Sequence, residues 1–207
     1  MKVWNRSNCT QMVFIPAGAV LKPKGYTERL LMGILSGGGE MPPLKDFQVM
    51  MAEGATQDAE PAPAAVPGGM YFAEPKSETT FTLRGFCLEL HKLAPHPKTE
   101  YKFDEGKEEK LAPNLKVMES AARLYHTGAA RPARHALDGL TQWSLWAARE
   151  KMNAKEFHEE FLKLVKHNYE NMKKKWDKNV QRAVEASADD LWPNVEKVLA
   201  ESGAPPK

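Results

Sequence analysis

The spacing of apolar positions changes character once along the chain, near residue 110. Before it, apolar residues come in short runs bounded by Gly and Pro, the pattern of strands. After it, they recur every three or four residues, the pattern of helices with one buried face. In the first part Val3-Trp4-Asn5 opens a strand, and Gln11-Met12-Val13-Phe14-Ile15 forms a second that stops at the breaker Pro16-Ala17-Gly18. Ala19-Val20-Leu21 resumes extended structure. Lys22-Pro23-Lys24-Gly25-Tyr26 then turns, because Pro presets φ and Gly tolerates a positive one. Arg29 to Leu35 reads as a buried strand and Phe47 to Met51 as another. The clearest strand runs from Thr79 to Leu90. Its apolar face starts at Phe81 and Leu83, then passes to Phe86, Leu88 and Leu90, which predicts a β-bulge at Gly85.

Two stretches of the first part lack such a pattern. The Ala/Pro-rich segment near 53–69 is expected to be a mobile, extended surface loop, or else a recognition segment for a partner that binds polyproline conformations. His91 to Lys110 is polar and charged, a solvated connection.

The helical part opens with Asn114 as a cap for Leu115, Met118, Ala122 and Tyr125, and stops at His126-Thr127-Gly128 with Gly128 in a C′ position. A loop over 129–139 leads to a helix that opens at Thr141. Asn153-Ala154-Lys155-Glu156 has the form of a capping box and starts one long amphipathic helix through Phe157, Phe161, Leu164, Val165, Tyr169, Met172, Trp176, Val180 and Val184. Ser187 to Asp190 would cap a last helix, Leu191 to Ala200, with Pro193 in its first turn. Strands followed by helices imply an α+β fold. The expected architecture is an N-terminal antiparallel β-sandwich-like domain over 1–110, then a helical subdomain over 111–207 packed on it.

Composition adds limits. A chain of 207 residues with 42% hydrophobic and 27% charged residues is one folded domain, or one with a helical extension. A net charge of +2 gives no reason to expect nucleic acid or an anionic membrane as partner. No apolar run reaches the ~20 residues of a membrane span. The start carries no signal-peptide core, though a removed leader leaves no trace. The sequon matches at Asn5 and Asn8 lie side by side in a polar stretch and carry no weight. The histidines at 91, 96, 126, 135, 158 and 167 show no i, i+4 pair, and no Cys-x-x-Cys occurs. No metal site is expected, although His91 and His96 flank a loop that could clamp one. No phosphate loop, dinucleotide fingerprint or serine elbow is present, so no cofactor is expected. Lys173-Lys174-Lys175-Trp176 reads as a solvated helix face.

The remaining chemistry is that of cysteine and glutamine. A thiolate can attack a glutamine carboxamide, expel ammonia and leave an internal thioester, which a partner's amine or hydroxyl then captures. That step needs the thiol on a rigid element, the amide held against it, and bulky apolar groups to exclude water. Cys87 on a strand, Gln142 at a helix N-terminus, and Trp143 and Trp146 beside it would supply those parts. Thr141-Gln142-Trp143-Ser144-Leu145-Trp146 resembles the Thr-Gln-x-Ala-Ile-Trp signature of thioester domains on Gram-positive surface adhesins, and Phe86-Cys87-Leu88 resembles the cysteine element that precedes it there. Ser144 and Leu145 depart from the signature, and the interval from Cys87 to Gln142 is short for the family.

The resemblance implies Cys87 and Gln142 as the bonded pair, with Thr141, Trp143 and Trp146 around them. It implies a secreted or cell-surface binding and adhesion module whose partner is a protein or an amine-bearing surface ligand. Two alternatives stay open. One is a hydrolase- or transferase-like enzyme with a Cys87 nucleophile and His91 or His135 as base. The other is a non-catalytic interaction protein in which Cys87 is a small buried hydrophobe and the Trp pair is core packing.

Overall fold

In the computed structural model residues 2–15, 19–23, 31–36, 69–80, 82–92, 100–103 and 108–204 are described. Among them are eight strands and then four helices, so the fold mixes α and β structure. The chain divides into two compact units, Met1–Ala112 and Pro113–Lys207.

The first unit is built from antiparallel ladders. β1 (Lys2–Trp4) pairs with β6 (Glu78–Thr80), and β2 (Gln11–Ile15) with β5 (Gly69–Ala73). β3 (Ala19–Pro23), β4 (Leu31–Ser36), β7 (Thr82–Cys87) and β8 (Tyr101–Phe103) form a four-stranded sheet in the order β7-β4-β3-β8. Phe47 to Met51 and the Ala/Pro-rich residues 53–68 lie outside the described residues.

The long strand expected from Thr79 is two strands with different partners. β7 pairs with β4 one residue for one, from Thr82↔Ser36 through Gly85↔Gly33 to Cys87↔Leu31. The bulge expected at Gly85 is therefore not there. Two glycines meet across the ladder instead, so both strands lack a side chain at the same rung and no extra residue is needed. β7 ends at Cys87, and Leu88 and Leu90 are buried in the bend and turn that follow. β8 falls in the stretch 91–110 that reads as a solvated connection, and β5 begins at Gly69, where the Ala/Pro-rich segment ends. Each owes its extended form to a partner distant in sequence.

One side chain organises the start of the chain. Asn5 is buried, and its Nδ2 donates to the carbonyls of Cys9 at 2.9 Å and Ala73 at 2.8 Å. Its Oδ1 accepts from Ser7 N at 2.9 Å and Ser7 Oγ at 2.8 Å. Every hydrogen-bonding position of the amide is filled. Both Nδ2 hydrogens are engaged, which leaves this sequon nitrogen no room for a glycan.

The second unit is helical. α1 (Glu108–His126) starts before Asn114, which is buried inside the helix rather than capping it. It ends as expected, with Gly128 at φ +77°. α2 (Leu137–Glu150) starts one turn earlier than Thr141, from Ala136, an N-cap whose side chain makes no capping bond. α3 (Ala154–Asn171) opens with the expected capping box, Asn153 Oδ1 accepting from Glu156 N and Glu156 Oε2 accepting from Asn153 N, both at 3.1 Å.

The one long helix expected from Phe157 to Val184 is broken. The chain leaves α3 at Met172, takes a left-handed residue at Lys173 (φ +54°), and restarts as α4 (Lys178–Ser202). Asp177 caps α4 by accepting from Asn179 N at 2.9 Å and Val180 N at 3.0 Å. The three lysines 173–175 thus lie in the exposed break, not on a helix face. Ser187 to Asp190 sit inside α4, and so does Pro193. A proline there leaves a carbonyl of the preceding turn without its usual N–H. The deprived carbonyl is that of Asp189, four residues back, while Asn194 Nδ2 donates to the neighbouring Asp190 carbonyl at 2.8 Å.

The bonds from the Val180 and Asn179 amides hold the Asp177 carboxyl below its ordinary value. A depressed folded-state value means that the cap stabilises above the unfolded value and is lost as pH falls through the folded one. For Asn5 the expectation is specific. Asn5→Ala strips a donor from the buried Ala73 carbonyl and should cost about 2–3 kcal/mol, read by urea unfolding. A change below 0.5 kcal/mol, within the ordinary range of surface substitutions, would contradict the assignment.

Candidate functional site

α2 carries the stretch with the densest candidate chemistry. Leu140, Thr141, Trp143, Ser144, Leu145, Trp146 and Ala147 are all buried, so this helix is covered on nearly every side. Gln142 is the half-buried exception between them. It is not at the helix N-terminus. The Leu140 amide already bonds back to the Ala136 carbonyl at 3.1 Å, so the unpaired amides of the first turn lie before Gln142. The partial positive charge of the helix start falls off within that turn.

The two indoles are packing groups of the helical unit. Trp143 meets Trp146 edge-on at 5.0 Å between centroids, Phe157 at 5.3 Å and Phe161 at 4.8 Å. Phe157 in turn meets Trp192 at 5.0 Å, so one aromatic cluster joins α2, α3 and α4. Such pairs add about 0.5–1.5 kcal/mol each beyond the area they bury. Thr141 is buried beside them, at 3% exposure.

Cys87 belongs to the first unit and Gln142 to the second. Cys87 is the last residue of β7, half-buried between the buried Phe86 and Leu88. Cys9 is exposed on the bend held by Asn5, and the two cysteines are not bonded to each other. The Cys9 sulfur accepts from Gln11 Nε2 at 3.1 Å. Of the two histidines considered as bases, His91 is exposed. His96 lies outside the described residues, and among those described no three His, Cys, Asp or Glu side chains converge as metal ligands.

His135 is engaged within the helical unit, and sequence reasoning missed its partner. Its Nε2 lies 2.8 Å from Ser187 Oγ on α4, and its ring stands edge-on to Phe161 at 5.9 Å. Burial pushes the imidazole below its ordinary value, against the opposing pull of the Ser187 hydrogen bond and the Asp190 charge. Asp190 holds the loop in front of α2, accepting from Ala133 N at 3.1 Å and Arg134 N at 2.9 Å. Gly139 explains itself here too. A Cβ at that position would stand 3.3 Å from His135 Nδ1, so the glycine makes room for the ring. A Gly four positions after a His at the head of a helix was the signal available in sequence. His135 and Ser187 line a groove of about 510 Å³ with Phe161, Val165, Val180 and Val184.

Comparison with protein-family models, curated proteins and solved structures finds no match to the chain.

One polar group in α2 is out of place. Ser144 is fully buried, and its Oγ has no hydrogen-bond partner among the described residues. A buried hydroxyl without a partner costs about 1–3 kcal/mol in desolvation. Ser144→Ala should therefore raise stability by roughly 1 kcal/mol, measured by denaturant unfolding. A loss of stability would show that the hydroxyl is bonded after all.

Proposed function

We propose that this chain is a secreted or surface-exposed binding module, and that Cys87 and Gln142 form an internal thioester for covalent capture of a partner's amine. The observation that carries the reading is the exposure pattern of α2. Seven of the eight residues from Leu140 to Ala147 are buried, and the half-buried exception is the glutamine of the signature-like motif. Cys87 has a matching character in its own unit. It terminates a paired strand and is half-buried between two buried apolar neighbours, which holds a thiol in place and limits water around it.

The chemistry balances without a cofactor. Cys87 Sγ attacks the Gln142 side-chain carbonyl carbon, the carbon–nitrogen bond breaks, and the thiol proton leaves with the nitrogen as ammonia. A partner's primary amine then attacks the same carbon, forms an amide, and returns a proton to the Cys87 thiol. Against a thiol hydrolase stands the engagement of His135, which is bonded to Ser187 within the helical unit. We further propose that the ladders of the first unit close into a sandwich-like layer, a reading supported by contacts of β4 with β5 across two ladders.

Intact-mass spectrometry of the untreated protein tests the thioester. The account expects a mass about 17 Da below the calculated one, the loss of ammonia on thioester formation. Iodoacetamide should then alkylate the exposed Cys9 and spare Cys87. A full calculated mass with both cysteines alkylated at once would end the thioester reading.

A further inference from the structure

Charge is unevenly spread along the chain, and it gathers where α3 gives way to α4. Residues 163–182 hold seven Lys and Arg against two carboxylates, Glu170 and Asp177, a local net charge of +5. The whole chain carries only +2, so the remainder is net acidic and the total conceals the cluster. Lys163 pairs with Glu160 at 3.2 Å. Lys166, Lys173, Lys174, Lys175, Lys178 and Arg182 are exposed and make no ion pair among the described residues. The Asp177 carboxylate accepts from the Asn179 and Val180 amides but keeps its charge, which the local sum already includes.

The fold brings these cations to an apex. α3 and α4 run antiparallel, since His158 near the start of α3 meets Asp189 far along α4 at 2.9 Å. At the other end Tyr169 and Val180 line the same groove, next to the connection. That connection is a defined turn. Lys173 is left-handed at φ +54°, and the Lys173 and Lys174 amides close back on the Glu170 and Tyr169 carbonyls, both at 2.9 Å. Three consecutive lysines are therefore presented from fixed backbone. Beside them Met172 is 54% exposed, one of three large apolar side chains left so open among the described residues. A thioether in water next to lysines gains from a surface that is anionic outside and apolar beneath.

We propose that the α3–α4 apex is a membrane-surface contact. Lys173, Lys174 and Lys175 meet anionic phospholipid headgroups, and Met172 enters the acyl boundary below them. Nucleic acid would meet the same charges but gain nothing from the exposed thioether. The aromatic rings at hand are not open for stacking either, because Trp176 stands edge-on to Tyr169 at 5.5 Å and Lys174 covers the Tyr169 ring at 5.9 Å. The contact is independent of the thioester, so Cys87→Ser should bind vesicles as the parent chain does.

Co-sedimentation of the full chain with lipid vesicles tests the proposal. Binding is expected to phosphatidylcholine vesicles containing about 30% phosphatidylserine, and little to phosphatidylcholine alone. It should weaken as salt is raised, because the cations are exposed. Replacing Lys173, Lys174 and Lys175 together by Ala should weaken it about a hundredfold, at roughly fivefold for each lysine. Met172→Ser should weaken it about threefold at constant charge, which a purely ionic contact would not show. The combination Lys116→Ala, Arg149→Ala and Lys155→Ala removes the same charge from exposed positions outside the stretch, and should leave binding nearly intact. Circular dichroism should show every variant folded, since all the substituted cations and Met172 are exposed. Equal weakening by both triple variants would overturn the apex as the site. Absence of binding to the anionic vesicles, or a neutral Met172→Ser with tighter binding to a single-stranded oligonucleotide, would overturn the lipid as its partner.

Discussion

The helical unit depends on a contiguous group of aromatic rings. Trp143 packs on Trp146, Phe157 and Phe161, and Phe157 passes the contact on to Trp192. These rings come from three helices, so the cluster sets how α2, α3 and α4 lie against one another. Other ties are local and polar. His158 lies between the Ala154 carbonyl, 2.6 Å from Nδ1, and the Asp189 carboxylate, 2.9 Å from Nε2. Arg123 pairs with Glu201 between half-exposed side chains, and exposed pairs of that kind contribute little. Removal of apolar surface from water dominates, and the polar contacts fix register.

A helix buried on nearly every side leaves few places for polar atoms, and two in α2 stand out. Ser144 has no partner for its hydroxyl among the described residues. Gln142 stands half-buried among covered neighbours. Ahead of the helix His135 leans on Gly139 and bonds Ser187, while Asp190 gathers the preceding amides. The loop and the helix start are thus held from α4. This explains how α2 begins without a side-chain cap at Ala136.

Much of the secondary structure was legible where the signal was local. Pro16-Ala17-Gly18 marks the gap between β2 and β3, the Asn153 to Glu156 box starts α3, and Gly128 ends α1. What escaped was non-local or self-concealing. β5 and β8 are defined by partners distant in sequence. The α3–α4 break was hidden because Tyr169, Met172, Trp176 and Val180 keep a spacing of three and four across it. Trp176 folds back edge-on to Tyr169 at 5.5 Å rather than extending the stripe. Pro193 looked like a helix start because proline favours that position, yet it lies well inside α4. Of the candidate site, the residues were visible in sequence but the His135–Ser187 pair was not, since its members are 52 positions apart.

The central claim is that a half-buried glutamine on a buried helix and a half-buried cysteine at a strand end act together as an electrophile. Trapping with methylamine, followed by peptide mapping, tests it most directly. The account predicts an N-methylamide on Gln142 and a Cys87 thiol that becomes alkylable only after the treatment. An unmodified Gln142 with Cys87 alkylable from the start would contradict it, and so would an adduct on Gln11 beside Cys9.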